Sequence, residues 1–299
     1  MKPYFAIVNP AAGGGRCGRQ APAILDRLRS QGVPVESVET QRAKHATSLC
    51  REAYRTGFRR FLAVGGDGTS FEMINGLFPR VDKFDPVTLG FLPLGTGNSF
   101  LRDFSHRGLD HAVETLVSHR SRPCDVMCLT HAKGAVHYIN LLSIGFTAEA
   151  GELTNRCFKG WGEVGYLMAI LRCWMRLHYP NFPFRLEPDG DIQHQPCTYL
   201  TFSNSRFTGG KLMIAPQADI ADGLIEITRV GTIGRWEFVK TFPRIFAGTH
   251  MSHPLIWRTA SKWVEFDLDG PTPVMIDGEV IVCQPQTIQV LPGALQVAA

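Results

Sequence analysis

Over roughly its first 120 residues the chain alternates short apolar runs with segments of helical spacing, and three of those runs end in glycine-rich loops. YFAIV (4–8) leads into NPAAGGG, FLAV (61–64) into GGDGT, and VTLGFLP (87–93) into the loop of PLGTGN. Between them, 21–32 has helical spacing and closes at Gly32, VPVESVE alternates as a strand, 45–57 reads as a helix closed by Gly57, and 70–78 as a short helix. Strands alternating with helices predict a parallel sheet covered on both faces, with ligands bound at the carboxyl ends of its strands.

The pattern changes near Pro123. Strand-like runs then dominate, at 124–130, 135–143, 182–187, 197–203, 223–230, 262–268, 273–276, 279–283 and 286–291, separated by Gly, Pro and Asp-Gly turns. They predict a β-sandwich or barrel, interrupted by helices over 161–177 and 234–246. The expected architecture is an α/β nucleotide-binding domain over 1–123 and a β-sandwich domain over 124–299. With 44% apolar and 19% charged residues, such a chain buries a core without staples.

A net charge of +4 is too small to argue for nucleic acid, and suits an anionic nucleotide or membrane surface. The 8 cysteines are dispersed, with no two-residue gap of a zinc or redox motif, and read as reduced thiols. The opening MKPYFAIVNP is too short in its apolar run for a signal peptide. The stretch 161–177 is interrupted by Glu163, Arg172 and Arg176 and does not read as a membrane span, so a cytoplasmic protein is expected. His45, His131 and His137 have no metal-like spacing.

Gly13, Gly15 and Gly18 satisfy the letters of a dinucleotide fingerprint, with Glu36 or Glu39 about 20 residues on. Asn9-Pro10 intervenes before the first glycine, which favours another kind of phosphate loop, and no G-x-x-x-x-G-K-[ST] occurs. GGDGTSFEMING (65–76) is more specific. Its glycines allow a sharp turn at the strand end, Asp67 can meet Mg²⁺ or its water, Thr69 can cap the next helix, and Glu72 and Asn75 share a helix face. An Asp-Gly pair alone means little, since five occur in the chain; strand, glycines, Asp-Gly-Thr and helix together mean more. In LPLGTGNSFLRDF (92–104), Gly95, Thr96, Gly97 and Asn98 can wrap a nucleotide while Arg102 neutralises phosphate. VMIDGEVIV reads as a hairpin with Asp277-Gly278 at its turn. The helix at 161–177 carries apolar residues at 164, 167, 168, 171, 174 and 175, a stripe that either packs on the sandwich or faces lipid, with Arg172 and Arg176 near headgroups.

These motifs resemble the diacylglycerol kinase and sphingosine kinase catalytic family, including bacterial lipid kinases, over nearly the whole chain. NPAAGG, GGDGT..E..NG and PLGTGN are followed in the family's order by SIGFTAEAG (143–151), GGKLMIAPQADIADGLIEI (209–227) and IDGEV (276–280). The resemblance implies a nucleotide domain, a β-sandwich domain and an active site in the cleft between them, using ATP and Mg²⁺ to phosphorylate a lipid hydroxyl at a membrane surface. It implies nucleotide-site roles for Asn9, Thr40, Gly66, Asp67, Gly68, Thr69, Glu72, Gly95, Thr96 and Asn98, with Arg19 and Arg102 near the phosphates. Asp277 matches the general base, Glu279 a neighbouring carboxylate, and Glu149 an acidic position at the substrate headgroup. Asp219, Asp222 and Leu224 match a structural Mg²⁺ site of some bacterial members. The chain departs from the pattern at Ser99, where many bacterial diacylglycerol kinases carry Asp, and at Gly14, where some carry Lys and where Arg16 is the substitute at hand. Diacylglycerol, monoacylglycerol, a sphingoid base and ceramide stay open as substrates, as does a homodimer. The rival readings are an NAD kinase and a catalytically inactive nucleotide- or lipid-binding protein.

Overall fold

The computed structural model describes residues 2–81, 85–158 and 162–298. Strands β1 (Tyr4–Val8), β2 (Val35–Glu39), β3 (Arg60–Gly65) and β4 (Thr88–Pro93) alternate with helices α1 (Arg16–Ser30), α2 (His45–Arg55) and α3 (Asp67–Leu77). A 3₁₀ turn at Phe100–Asp103 and helix α4 (Leu109–Val117) follow. The second half contains β5 (Arg122–His131), β6 (Gly134–Tyr138), β7 (Leu141–Gly145), α5 (Phe146–Leu153), α6 (Gly162–Met175), β8 (Phe184–Arg185) and β9 (Tyr199–Ser203). It continues with β10 (Phe207–Thr208), β11 (Leu212–Met213), β12 (Ile225–Val230), α7 (Arg235–Thr241) with a 3₁₀ extension Phe242–Ala247, β13 (Ile256–Ser261) and β14 (Trp263–Phe266). The hairpin β15 (Thr272–Ile276) and β16 (Glu279–Cys283) precedes the long β17 (Pro285–Val297).

β1 to β4 form a parallel sheet in the order β2-β1-β3-β4, as strand–helix alternation requires. That sheet does not stop at the expected domain boundary. β17 pairs antiparallel with β5 and β14, and its end pairs parallel with β4 through Gln296 and Val297. The second sheet, ordered β13-β12-β9-β7-β15-β16, lies over this extension. One apolar core, with Leu129, Tyr138, Phe202 and Ile288, fills the space between them. Helices α5, α6 and α7 cover the outer face of the second sheet, where Phe146, Trp174 and Phe238 pack in one cluster with Tyr199 of β9.

Several boundaries differ from the sequence reading. Helix α1 starts at Arg16 rather than 21, because Gly13, Gly14 and Gly15 take φ of 60°, 64° and 81° and turn the chain into the helix earlier, while Pro22 is accommodated on the exposed side. Strand β17 outruns 286–291 because Pro292-Gly293, which reads as a terminator, is a bulge with a register shift between Leu291 and Leu295. Asp125 secures it: its carboxylate accepts the Gly293 amide at 2.7 Å and the Gly223 amide at 2.7 Å. The helix expected over 234–246 changes to 3₁₀ at Phe242, where Pro243 interrupts the α-helical ladder. α5 was hidden inside the glycine-bearing segment 143–151.

Candidate active site

Two cavities lie side by side at the carboxyl ends of the parallel strands and over the second sheet. The first, of about 730 Å³, is polar. The loop after β1 brings Asn9 and Gly13 to it, the loop after β2 brings Thr40 and Arg42, and the β3–α3 turn brings Gly66, Asp67, Gly68, Thr69 and Glu72. Gly95 and Thr96 come from the loop after β4, and Asp277 and Glu279 from the β15–β16 hairpin.

The loops after β3 and β4 touch backbone to backbone. A Cβ on Gly95 would lie 2.3 Å from the Gly66 Cα, so this approach requires glycine. Arg16 ties a third loop to them, donating to the Gly95 carbonyl at 2.6 Å; its guanidinium is engaged there rather than replacing a lysine at 14. Gly13, Gly68, Thr96 and Gly97 line the cavity, and their amides donate no hydrogen bond within the described residues. Such unpartnered N–H groups beside helix N-termini make an anion cradle.

Asp67 opens α3, but its carboxylate turns across the cleft floor. It accepts the Ser99 amide at 2.9 Å and the Ser99 hydroxyl at 3.0 Å. Burial raises its pKa, opposed by the hydrogen bonds from Ser99 and Phe100. Ser99 Oγ also accepts the Gly210 amide at 2.9 Å, so this buried hydroxyl joins the parallel-sheet half to the β10–β11 hairpin. Arg206 makes a second tie, donating to Asp103 at 2.7 Å.

Asp277 and Gly278 form the turn of their hairpin with φ of 49° and 90°, as a two-residue I′ connection demands. The Asp277 side chain is caged. Oδ2 accepts the Ile139 amide at 3.2 Å, and Oδ1 accepts those of Asn140 at 3.1 Å and Leu141 at 3.0 Å. Burial nevertheless pushes its pKa up to about 7; the Ile139 and Leu141 amides oppose this and the Asp67 charge adds to it. Both line the polar cavity, which puts the two aspartates, 210 residues apart, on one site. Glu279 is also raised, by burial first and then by the Glu72 charge, with Lys44 opposing.

Other expected residues do different work. Thr69 does not cap α3, whose N-cap is Gly66; its Oγ1 accepts from Asn9 Nδ2 at 3.3 Å. Glu72 lines the cavity but caps α2, accepting the Lys44 amide at 2.7 Å and the Ala46 amide at 3.0 Å. Asn98 folds its own loop through the Gly95 carbonyl at 2.7 Å and stays outside the polar cavity. Arg19 and Arg102 do not line it either; among the described residues the cation that does is Arg42, which carried no motif. Asn140 and Thr208 also line it, and no local pattern marked them. Glu149 lies outside both cavities, beside Cys173 and with its carboxylate 3.4 Å from His178. Asp219 and Asp222 lie on an exposed loop, each accepting the amide two residues on, from Ala221 and Leu224. Among the described residues no cluster of three His, Cys, Asp or Glu side chains forms a metal site, there or elsewhere.

The second cavity, of about 770 Å³, is apolar and lies between the second sheet and helices α6 and α7. Thr208 and Gly209 line both cavities. Where β7 begins, Asn140 faces the polar side and Leu141 the apolar one; where β15 ends, Asp277 and Met275 divide in the same way. No described helix is long and apolar enough to cross a membrane.

The fold is an α/β half with a parallel sheet joined to a β-sandwich-like half, with a polar cleft at the ends of the parallel strands. The chain belongs to the diacylglycerol kinase catalytic family: residues 3–129 match the diacylglycerol kinase catalytic domain and 140–299 the YegS C-terminal NAD kinase beta sandwich-like domain. It is 30% identical over 296 residues to a diacylglycerol kinase of Mycobacterium tuberculosis, covering 98% of this chain and 93% of that one. It is 32% identical to a Chromohalobacter salexigens protein named "Probable lipid kinase YegS-like", covering 94% and 89%. A crystal structure of a diacylglycerol kinase from Bacillus anthracis superposes with a TM-score of 0.73 at 21% identity, over 99% of this chain and 96% of that one.

Proposed function

We propose that the protein transfers the γ-phosphoryl group of ATP to a hydroxyl of a membrane lipid. The observation that carries this reading is the shared wall: a polar cavity whose glycine loops hold unpartnered amides and an apolar cavity of similar volume both reach Thr208 and Gly209, and Asp277 is hydrogen-bonded to Asn140 of the polar lining and Leu141 of the apolar one. A lipid lying in the apolar side would present its headgroup hydroxyl to the polar side.

Phosphoryl transfer asks a protein to position groups and stabilise charge. The amides of Gly13, Gly68, Thr96 and Gly97 receive phosphate oxygens, and Arg42 adds positive charge. Asp277 holds the acceptor hydroxyl and takes its proton on a carboxylate oxygen; the amide cage fixes that oxygen's position. Four carboxylates, Asp67, Glu72, Asp277 and Glu279, line a cavity with one arginine, an acidic balance that fits a divalent cation with the polyphosphate. Asp67 and Glu279 would hold Mg²⁺, which supplies charge neutralisation at the phosphates.

The test is transfer of γ-labelled ATP to detergent-dispersed diacylglycerol, monoacylglycerol, sphingoid base and ceramide, with NAD in a parallel tube. Label in one lipid class, lost in Asp277→Asn, is expected. Transfer to NAD alone, or to nothing, refutes the reading.

A further inference from the structure

Asn140 is 3% exposed and lines the polar cavity. Its backbone N–H donates to Asp277 Oδ1 at 3.1 Å. Its carbonyl accepts the Asn204 amide at 2.8 Å and the Ser205 amide at 3.1 Å. Its side-chain Oδ1 accepts the Ser205 hydroxyl. Nδ2 is the exception. It makes no hydrogen bond among the described residues, yet it is not one of the unpartnered side-chain atoms sealed from solvent, so its N–H groups reach the polar cavity. A donor held this deep without a protein acceptor is a group that something entering the cavity can satisfy.

That donor is also held in place. Asn204 and Ser205, both fully buried, follow β9 and clamp residues 139–140 from behind. Besides the bonds to Asn140, Asn204 Nδ2 donates to the Ile139 carbonyl at 2.8 Å and to the Asp125 carbonyl at 3.0 Å. The amide cage around Asp277 and the free Asn140 donor therefore stand on one short piece of backbone, fixed by the same two residues. A donor and a base arranged in this way need no rearrangement when charge develops between them.

The reaction offers Nδ2 two kinds of oxygen. The attacking lipid oxygen gives its proton to Asp277 and a lone pair to phosphorus, and a donor placed on it would hold that lone pair back. The equatorial oxygens of the transferring group carry the charge of the transition state and gain from a donor. Four carboxylates and, among the described residues, one arginine line the cavity, and carboxylates cannot supply such a donor. The free amides of Gly13, Gly68, Thr96 and Gly97 all come from the parallel-sheet half, so Asn140 is the donor that reaches in from the other half.

We propose that Asn140 is a catalytic residue of the phosphoryl transfer, an assignment that rests on the kinase reading. Its Nδ2 donates to an equatorial oxygen of the γ-phosphoryl group. The bond from phosphorus to the bridging oxygen breaks with its electron pair leaving on ADP, the bond from the lipid oxygen forms, and the lipid's proton passes to Asp277.

Steady-state kinetics on the full chain test this, with magnesium, ATP and the four detergent-dispersed lipids, alongside calorimetry of ATP binding. Asn140→Ala should lower kcat about 10²–10³-fold. Its affinity for ATP should stay within about threefold of wild type, because the contact belongs to the transition state. Asn140→Asp keeps an oxygen for the Ser205 hydroxyl but has no N–H to donate, and should lose kcat as well. Ser205→Ala cuts the tie behind the side chain and keeps the donor, so it should lose less than either. A merely structural Asn140 gives the reverse order, with Ser205→Ala harmful and Asn140→Asp tolerated. Thermal melting checks folding, and Asn140→Asp decides the matter if Asn140→Ala does not fold. That reverse order overturns the proposal, as does a kcat within about threefold of wild type in both Asn140 variants. So does a loss confined to ATP binding. A wild-type protein that phosphorylates none of the lipids sinks the kinase reading and this assignment with it; an active wild type indifferent to Asn140 sinks this assignment alone.

Discussion

Replacing Ser99 with alanine removes one oxygen and strands two groups. Ser99 is 1% exposed, and its Oγ donates to Asp67 at 3.0 Å while accepting the Gly210 amide at 2.9 Å. In Ser99→Ala the Gly210 N–H is left buried without an acceptor, which costs about 1–3 kcal/mol. Asp67 also loses a charge-assisted bond but keeps the Ser99 amide, so this loss lies at the low end of the roughly 1.5–3 kcal/mol such bonds contribute. Allowing for local relaxation, the variant should be destabilised by about 2–4 kcal/mol. Urea unfolding followed by tryptophan fluorescence measures this. Ser118→Ala serves as control, because its hydroxyl is exposed and bonds only carbonyls of its own helix and the nearby exposed Arg120 side chain, and should change stability by less than about 0.5 kcal/mol. The loop holding Gly95 and Thr96 is loosened in the same variant, so nucleotide affinity should fall with stability. If Ser99→Ala unfolds within about 0.5 kcal/mol of wild type, the hydroxyl does not join the two halves and the argument fails.

Asp277 ties turnover and stability to pH with opposite signs. The general base must be ionised, so turnover should rise as pH climbs through about 7; a flat profile of kcat between about 5 and 9 would count against that role. Its folded pKa lies above the ordinary 3.8, so the stability it contributes is full below about 4 and is lost as pH rises through about 7, a trend that Asp277→Asn should abolish in thermal melts. Gly95→Ala places a Cβ 2.3 Å from the Gly66 Cα and should lower melting temperature and nucleotide binding together, with binding read by calorimetry. Arg42→Ala should raise the KM for ATP by about tenfold while leaving melting unchanged, since its side chain is exposed; an unaltered KM removes it from the phosphate site.

The phosphate loops were legible because their information is local. Glycines and a helical start lie within a few residues after β1, β3 and β4, with an aspartate after β3, and the backbone follows from them. What those side chains bind was not legible. The amides that cage Asp277 lie 136–138 residues away, and the α2 amides that Glu72 caps lie 26 and 28 residues back. Arg102 was expected near the phosphates because it follows a glycine loop, and Arg19 because of the resemblance; neither lines the cavity, whereas the unmarked Arg42 does. Periodicity found the α6 stripe but not its direction, since spacing says which residues share a face and not what that face meets. The bulge at Pro292-Gly293 escaped because those residues signal a stop, and their continuation depends on Asp125 reaching in from another strand.

The pairing of Gln296 and Val297 with β4 has a consequence for biosynthesis. A ribosome delivers β1 to β4 first, but the open flank of β4 finds this partner only after residues 296–297 have emerged from the exit tunnel. The nucleotide half is therefore born with a raw edge and finished last, and a nascent chain stalled a few residues earlier would expose that flank to any strand nearby.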